Sequence, residues 1–221
     1  MNEHFFGNVA TFSGLLPLSL GVFAMNKGRI PLLFFVFLLY GLLTDLFVGY
    51  SPGHWGLAQR IVLNIYGLLD CLFLIYFLRL FVLEKIARKI ATALLALVLP
   101  FWVLCYLILK NEFTDESGMS PVFDTVGMMV ISLIAAYALL KKTESGIETS
   151  KESAFWFVIG IFFYNFCSFF VITFVDLQVV LDIWYLQNII NILAMLIYTI
   201  GFWVALYPSG HPGAERKNST H

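Results

Sequence analysis

Charge is scarce in this sequence, and histidine is absent from the places where it would carry chemistry. Only 12% of the 221 residues are Asp, Glu, Lys or Arg, against 60% hydrophobic and 17% aromatic, which excludes an ordinary soluble domain. The four histidines, His4, His54, His211 and His221, fall in the termini or between apolar runs. Neither a buried histidine-rich metal site nor an axial haem ligand is therefore expected, and no cofactor is implied. Cys71, Cys105 and Cys167 all lie inside apolar runs without CxxC spacing, which argues against a disulfide framework and makes them small packing residues. The N-terminus lacks the basic segment and small-residue cleavage site of a secretory signal, so the first apolar run is expected to stay in the mature chain. The last run contains no lysine, which removes a retinal Schiff base.

What is present is a succession of apolar runs. A helix needs about 20 residues to cross ~30 Å of hydrocarbon, and seven stretches qualify: Phe5 to Met25, Ile30 to Tyr50, Ile61 to Leu83, Ile90 to Leu109, Pro121 to Leu140, Ala154 to Val175 and Leu181 to Tyr207. The expected fold is all-α, a polytopic seven-helix transmembrane bundle forming one domain over residues 1–207, with a disordered polar tail over 208–221. Eleven of the 13 Lys and Arg fall on one side: Lys27, Arg29, Arg79, Lys85, Arg88, Lys89, Lys141, Lys142, Lys151, Arg216 and Lys217, with only Arg60 and Lys110 opposite. Cytoplasmic connections carry such an excess, so the N-terminus is expected outside and the C-terminus in the cytoplasm of a cell membrane, the inner one in a Gram-negative cell.

The last run is also the most informative. Trp184, Gln187, Asn188, Asn191, Met195 and Tyr198 lie at offsets 0, 3, 4, 7, 11 and 14, which a helix gathers on one stripe. Carboxamides facing lipid cost free energy, so the stripe should face other helices or a watery cavity. Counting along the other spans at 1.5 Å per residue puts Asp45, Asn64, Tyr66 and Asp124 in the outer half, and Asp70 and Asn165 near the middle. Polar groups on five helices thus share a depth, while the inner half is apolar down to its basic rim. That predicts an outward-opening polar pocket with a closed floor, and not a channel lined along its whole length. The plainer alternative is that these groups hold helices together by interhelical hydrogen bonds of about 0.6 kcal/mol each. Asp45 and Asp70 are hardest to explain that way, because no basic residue of the bundle lies at their depth. They could hold a proton, bind a cation, or act as acid and base in a hydrolysis. The GxGD context of aspartyl intramembrane proteases is missing. Tyr40, Tyr164 and Tyr198 are further possible donors.

LPLSLGVF in the first span, LLTDLFVGY in the second, NIYGLLDCLFLIYFLR in the third, FWFVIGIFFYNF in the sixth and WYLQNIINILAMLIYTIGFW in the last resemble a group of small seven-helix membrane proteins of Bacteroidota. The resemblance covers most of the chain, is loose in spans four and five, and implies the topology; no activity is established for that group. The acidic second and third spans are also similar to the lysoplasmalogenase family of membrane lyso-ether-lipid hydrolases, which typically have eight spans. The first expectation for function is a receptor-like or sensory module binding a small or amphiphilic ligand through Asp45, Asn64, Tyr66, Asp70, Asp124, Asn165, Trp184, Gln187, Asn188 and Asn191. The alternatives are a lipid hydrolase using Asp45 and Asp70, and a proton- or cation-coupled carrier. Expected partners are membrane lipid, such a ligand and a cytoplasmic protein reached by the basic loops, with no nucleic acid.

Overall fold

The computed structural model describes residues 3–50, 56–82, 84–107, 121–144, 149–176 and 183–208. Among these every regular element is helical: α1 (Glu3–Ser13), α2 (Leu15–Ala24), α3 (Arg29–Tyr50), α4 (Gly56–Phe81), α5 (Lys85–Leu107), α6 (Pro121–Glu144), α7 (Ser153–Asp176) and α8 (Ile183–Leu206), with single 3₁₀ turns at Met25–Lys27 and Thr149–Lys151. The described residues contain seven helical spans long and apolar enough to cross a membrane, since a chain in hydrocarbon must satisfy its backbone polar groups internally. Helices α4, α5 and α6 run a few residues beyond the apolar stretches, because the backbone stays helical into polar ends such as Lys85 to Lys89 and Lys141 to Glu144. Except for Pro208, the expected disordered tail lies outside the described residues.

The first span is not one helix. Pro17 has no N–H to donate to the carbonyl of Ser13, and the span divides into α1 and α2 at the neighbouring Gly14, with the Ser13 hydroxyl donating to the Ala10 carbonyl at 2.6 Å. Pro100, set among good apolar helix formers, is carried inside an uninterrupted α5. The interruption is confined to Gly14, whose backbone keeps helical dihedrals of φ −61° and ψ −22°.

Six helical walls close on one another in the order α1/α2, α8, α7, α6, α4, α3, each touching the next, while α5 lies against the outside of α4 and α6. Beyond its basic first turns, where Lys85, Arg88 and Lys89 are exposed, α5 leaves mostly apolar side chains uncovered, among them Leu97, 59% exposed, and Leu99, 53% exposed, a surface suited to lipid and costly in water. The most extensive pair, α7 with α8, is held by reciprocal notches. A Cβ on Gly160 of α7 would stand 2.3 Å from Cε1 of Tyr198, and one on Gly201 of α8 would stand 2.6 Å from Cε1 of Phe157. Each glycine is thus the seat of an aromatic ring from the facing helix, the small-residue route to close approach in membranes. Through these two seats the rings of Tyr198 and Phe157 reach the centre of the bundle.

Gly160→Ala and Gly201→Ala are each expected to destabilise the bundle by about 1–3 kcal/mol through overpacking. Gly7→Ala, with nothing within 4 Å of the added methyl, should be neutral or slightly stabilising because alanine is the better helix former. Unfolding curves of the three purified variants in one detergent check the contrast.

Candidate functional site

A cavity of about 670 Å³ occupies one half of the bundle, within the range of small-molecule sites. Its walls come from α1, α3, α4, α6, α7 and α8, while α5 contributes nothing. It lies toward the C-terminal ends of α3 and α7 and the N-terminal ends of α6 and α8, beside the middle of α4, and away from Lys27, Arg29, Lys85, Lys141, Lys142 and Lys151. The shared depth inferred from the sequence is therefore a shared enclosure.

Three carboxylates line it: Asp45 from α3, Asp70 from α4 and Asp124 from α6. No described lining residue is basic. Asp70 interacts electrostatically with Asp124; the pairing expected from sequence was Asp45 with Asp70. Asp45 is the most exposed of the three. Gly67 lets the Asp124 carboxylate lie against α4, since a Cβ there would stand 3.2 Å from Oδ1. Around the acids stand phenols. Tyr66, Tyr164 and Tyr198 line the cavity, all three within the field of Asp70, and the Tyr40 ring lies 5.5 Å from that of Tyr66. A phenol facing a carboxylate is a natural donor to it.

The amides occupy the opposite wall. Gln187 and Asn191 line the cavity one turn apart, followed by Met195 and Tyr198 on the same face of α8. Gln187 donates from Nε2 to Ser168 Oγ on α7 at 2.9 Å, and Ser168, 0% exposed, also hydrogen-bonds Tyr164. The other half of the Gln187 amide, Oε1, is buried without a hydrogen-bond partner. Asn165 lines the cavity as well, but its Nδ2 is committed to the Ile161 carbonyl of its own helix at 2.9 Å.

Of the ten residues assigned to the site from sequence, seven meet at the cavity: Asp45, Tyr66, Asp70, Asp124, Asn165, Gln187 and Asn191. Asn64 is buried in the helix packing at 8% exposure, and Asn188 is half-buried on α8; neither joins the lining. The side chain of Trp184 falls outside the described residues. The sequence reading left out Thr11 and Gly14 of the first span, together with Gly41, Gly67 and Gly127. Gly67 could have been found by its position one helical turn before Asp70 and Cys71; Thr11 carries no comparable signal.

The cavity has a floor. Toward the basic end Phe34 stacks on Phe157 with centroids 4.2 Å apart, Phe157 meets Phe202 at 4.9 Å, and Phe34 meets Tyr198 at 4.8 Å and Phe77 at 5.3 Å. Phe34, Phe157 and Phe202 are each 0% exposed. Such pairs add about 0.5–1.5 kcal/mol each beyond their burial, so the plug is stable as well as tight. Below it the helix ends are tied by charge: Lys142 to Glu152 at 2.9 Å, Lys141 to Glu144 at 3.0 Å and to Glu84 at 3.8 Å, with the Tyr137 hydroxyl donating to Glu84.

Compared with protein families, curated proteins and solved structures, the chain matches none.

The Gln187 amide gives a test of this wall. Ser168→Ala leaves the buried Nε2 without its acceptor and is expected to cost about 1–3 kcal/mol. Gln187→Leu removes the bond and the open Oε1 together and should fall within about 1 kcal/mol of the parent, or above it. Unfolding of both variants in detergent measures the difference.

Proposed function

We propose that the protein is a membrane-embedded binding module of receptor-like or sensory type, whose cavity takes a small cationic or amphiphilic ligand. The observation that carries this reading is a cavity walled by three carboxylates with no basic side chain among its described lining residues. Acids gathered in a low-dielectric enclosure repel one another and are poorly screened by salt, and a bound cation offsets that repulsion. The phenol rings favour the same occupant through cation–π attraction. The positive-inside rule supports taking the basic end as cytoplasmic, which would let the ligand arrive from outside or from the outer leaflet. Any signal would leave through the basic end to a separate protein.

Asp70 and Asp124 also support a second reading. Two interacting carboxylates in one buried site are the arrangement from which an acid and a base can differentiate, and a lipid hydrolase built here would use that pair in place of Asp45 and Asp70. Release of product from a lysolipid by the purified protein, abolished by Asp70→Asn and by Asp124→Asn, would establish it. A proton- or cation-coupled carrier is less well supported, because the stacked Phe34 and Phe157 rings stand across the route to the basic end.

For the binding module, an alkylammonium probe such as hexylamine should raise the unfolding temperature of the protein in lipid nanodiscs, saturably, reaching about 2.7 kcal/mol of stabilisation at 100 times its Kd. Hexanol and hexanoate should not. Asp70→Asn and Asp124→Asn should each weaken the effect by about tenfold or more in affinity, a loss of ~1.4 kcal/mol. Equal stabilisation by all three probes, or none by the amine, overturns the reading. For orientation, a cysteine placed at Lys151 in a background without the native cysteines should react with a membrane-impermeant thiol reagent only after the cells are opened.

A further inference from the structure

The dimensions of the cavity restrict what it can hold. Its lining runs from Phe37 to Asp45 on α3 and from Tyr66 to Leu74 on α4, over equal lengths on α6 and α7, and further, from Gln187 to Tyr198, on α8. Eight residues of helix correspond to roughly 12 Å and eleven to roughly 16 Å. Measured down from the acids the space is shorter still: Asp70 stands one turn, roughly 6 Å, above Leu74, and Asp124 roughly 10 Å above Ile131. The acyl chain of a membrane lipid fills half of a ~30 Å core, about 15 Å. A lipid with its cationic head on these carboxylates therefore has no room to lay its chain toward the floor, which the Phe34, Phe157 and Phe202 rings close.

Depth is short, but breadth is not. A volume of about 670 Å³ over roughly 12–16 Å of depth gives a mean cross-section of roughly 40–56 Å². An extended hydrocarbon chain, with carbon contacts at about 4 Å, fills roughly 20 Å². A single chain would leave most of the width empty, and an unfilled apolar width forfeits the dispersion contacts that make burial favourable. The wall facing that width is aromatic, with rings from Phe37, Tyr66, Tyr164 and Tyr198.

We infer that the cavity selects a compact, ring-bearing amine, aromatic or alicyclic, over a long-chain cationic lipid. The ammonium group sits among Asp70, Asp124 and Asp45, and the ring body fills the space above Leu74, Ile131 and Tyr198. This rests on the proposed cation-binding reading and adds the class of ligand.

The test is a comparison of amines on the full-length protein in nanodiscs, by thermal unfolding and by native mass spectrometry. The probes are 2-phenylethylamine and adamantan-1-amine as compact ring amines, and n-butylamine through n-hexadecylamine as chains. The ring amines are expected to bind at least tenfold more tightly than dodecylamine or hexadecylamine, and their binding should depend on Asp70 and Asp124. Along the chain series affinity should rise about fourfold per methylene at first and then stop rising when the tail meets the floor. Leu74→Ala and Ile131→Ala, which lower the floor, should move that break to a longer chain; an unmoved break overturns the placement of the tail. If dodecylamine and hexadecylamine bind in an Asp-dependent way as tightly as the ring amines, the cation site stands and the compact occupant is wrong. If no amine binds in an Asp-dependent way, the cation-binding reading itself falls, and this inference with it.

Discussion

The constraint on which the molecule depends is the cost of showing a charged or amide side chain to hydrocarbon. Asp45, Asp70, Asp124, Gln187 and Asn191 come from four different helices, and each helix is rotated so that these groups share one enclosure while large apolar side chains such as Phe23, Leu133 and Ile86 face outward. Helix rotation about the bundle axis is thereby set by a handful of polar residues. Helix α5 carries none of them to the cavity, and it is the helix that sits outside the ring.

Polar groups alone would pull the helices together without giving the enclosure a bottom. That comes from the two glycine seats between α7 and α8. Because Gly160 accepts the Tyr198 ring and Gly201 accepts the Phe157 ring, both aromatics project to the centre about one turn apart, and at the lower of the two Phe34 of α3 stacks on Phe157 and Phe202 closes the side. The result divides the bundle across its length: a wide space lined by acids and phenols above, and a dry aromatic layer below. Space above and closure below have one cause, the close approach of α7 and α8.

Much of this was legible in the sequence. The seven apolar runs gave the class and the number of spans, and the periodicity of the last run gave the face on which Gln187, Asn191, Met195 and Tyr198 lie. The depth of Asp45, Asp70 and Asp124 could be counted because helical rise is fixed. Rotation relative to neighbours could not be counted. Asn188 follows Gln187 by one residue, 100° around the helix, and falls beside the lining where its neighbour falls on it; Asn64 is at a suitable height and points into packing. The interaction of Asp124 with Asp70 was also hidden, since it depends on α6 standing beside α4, a contact between segments separated by a whole span. The interruption at Gly14 follows only in part from Pro17, because a proline's missing hydrogen bond is local but its outcome depends on whether the neighbouring residues favour repair.

Tyr198 belongs to both halves of the molecule. Its ring lines the cavity, is held in the Gly160 notch and meets the edge of Phe34 at 4.8 Å, and Phe34 is in turn stacked on Phe157. A group pressed against Tyr198 from above therefore bears on a layer of rings, Phe34, Phe157 and Phe202, that are fully buried against one another. Packed layers of this kind shift between discrete arrangements and do not deform continuously. The rings of the layer belong to α3, α4, α7 and α8, and α7 begins at the basic end beside the Lys142 to Glu152 ion pair that joins it to α6. A receptor-like role needs a rigid connection between an occupied cavity and the opposite face. Under the proposed receptor-like role the aromatic layer would be that connection, built from the same rings that close the floor, so a single structural element would both exclude passage and carry the consequence of binding.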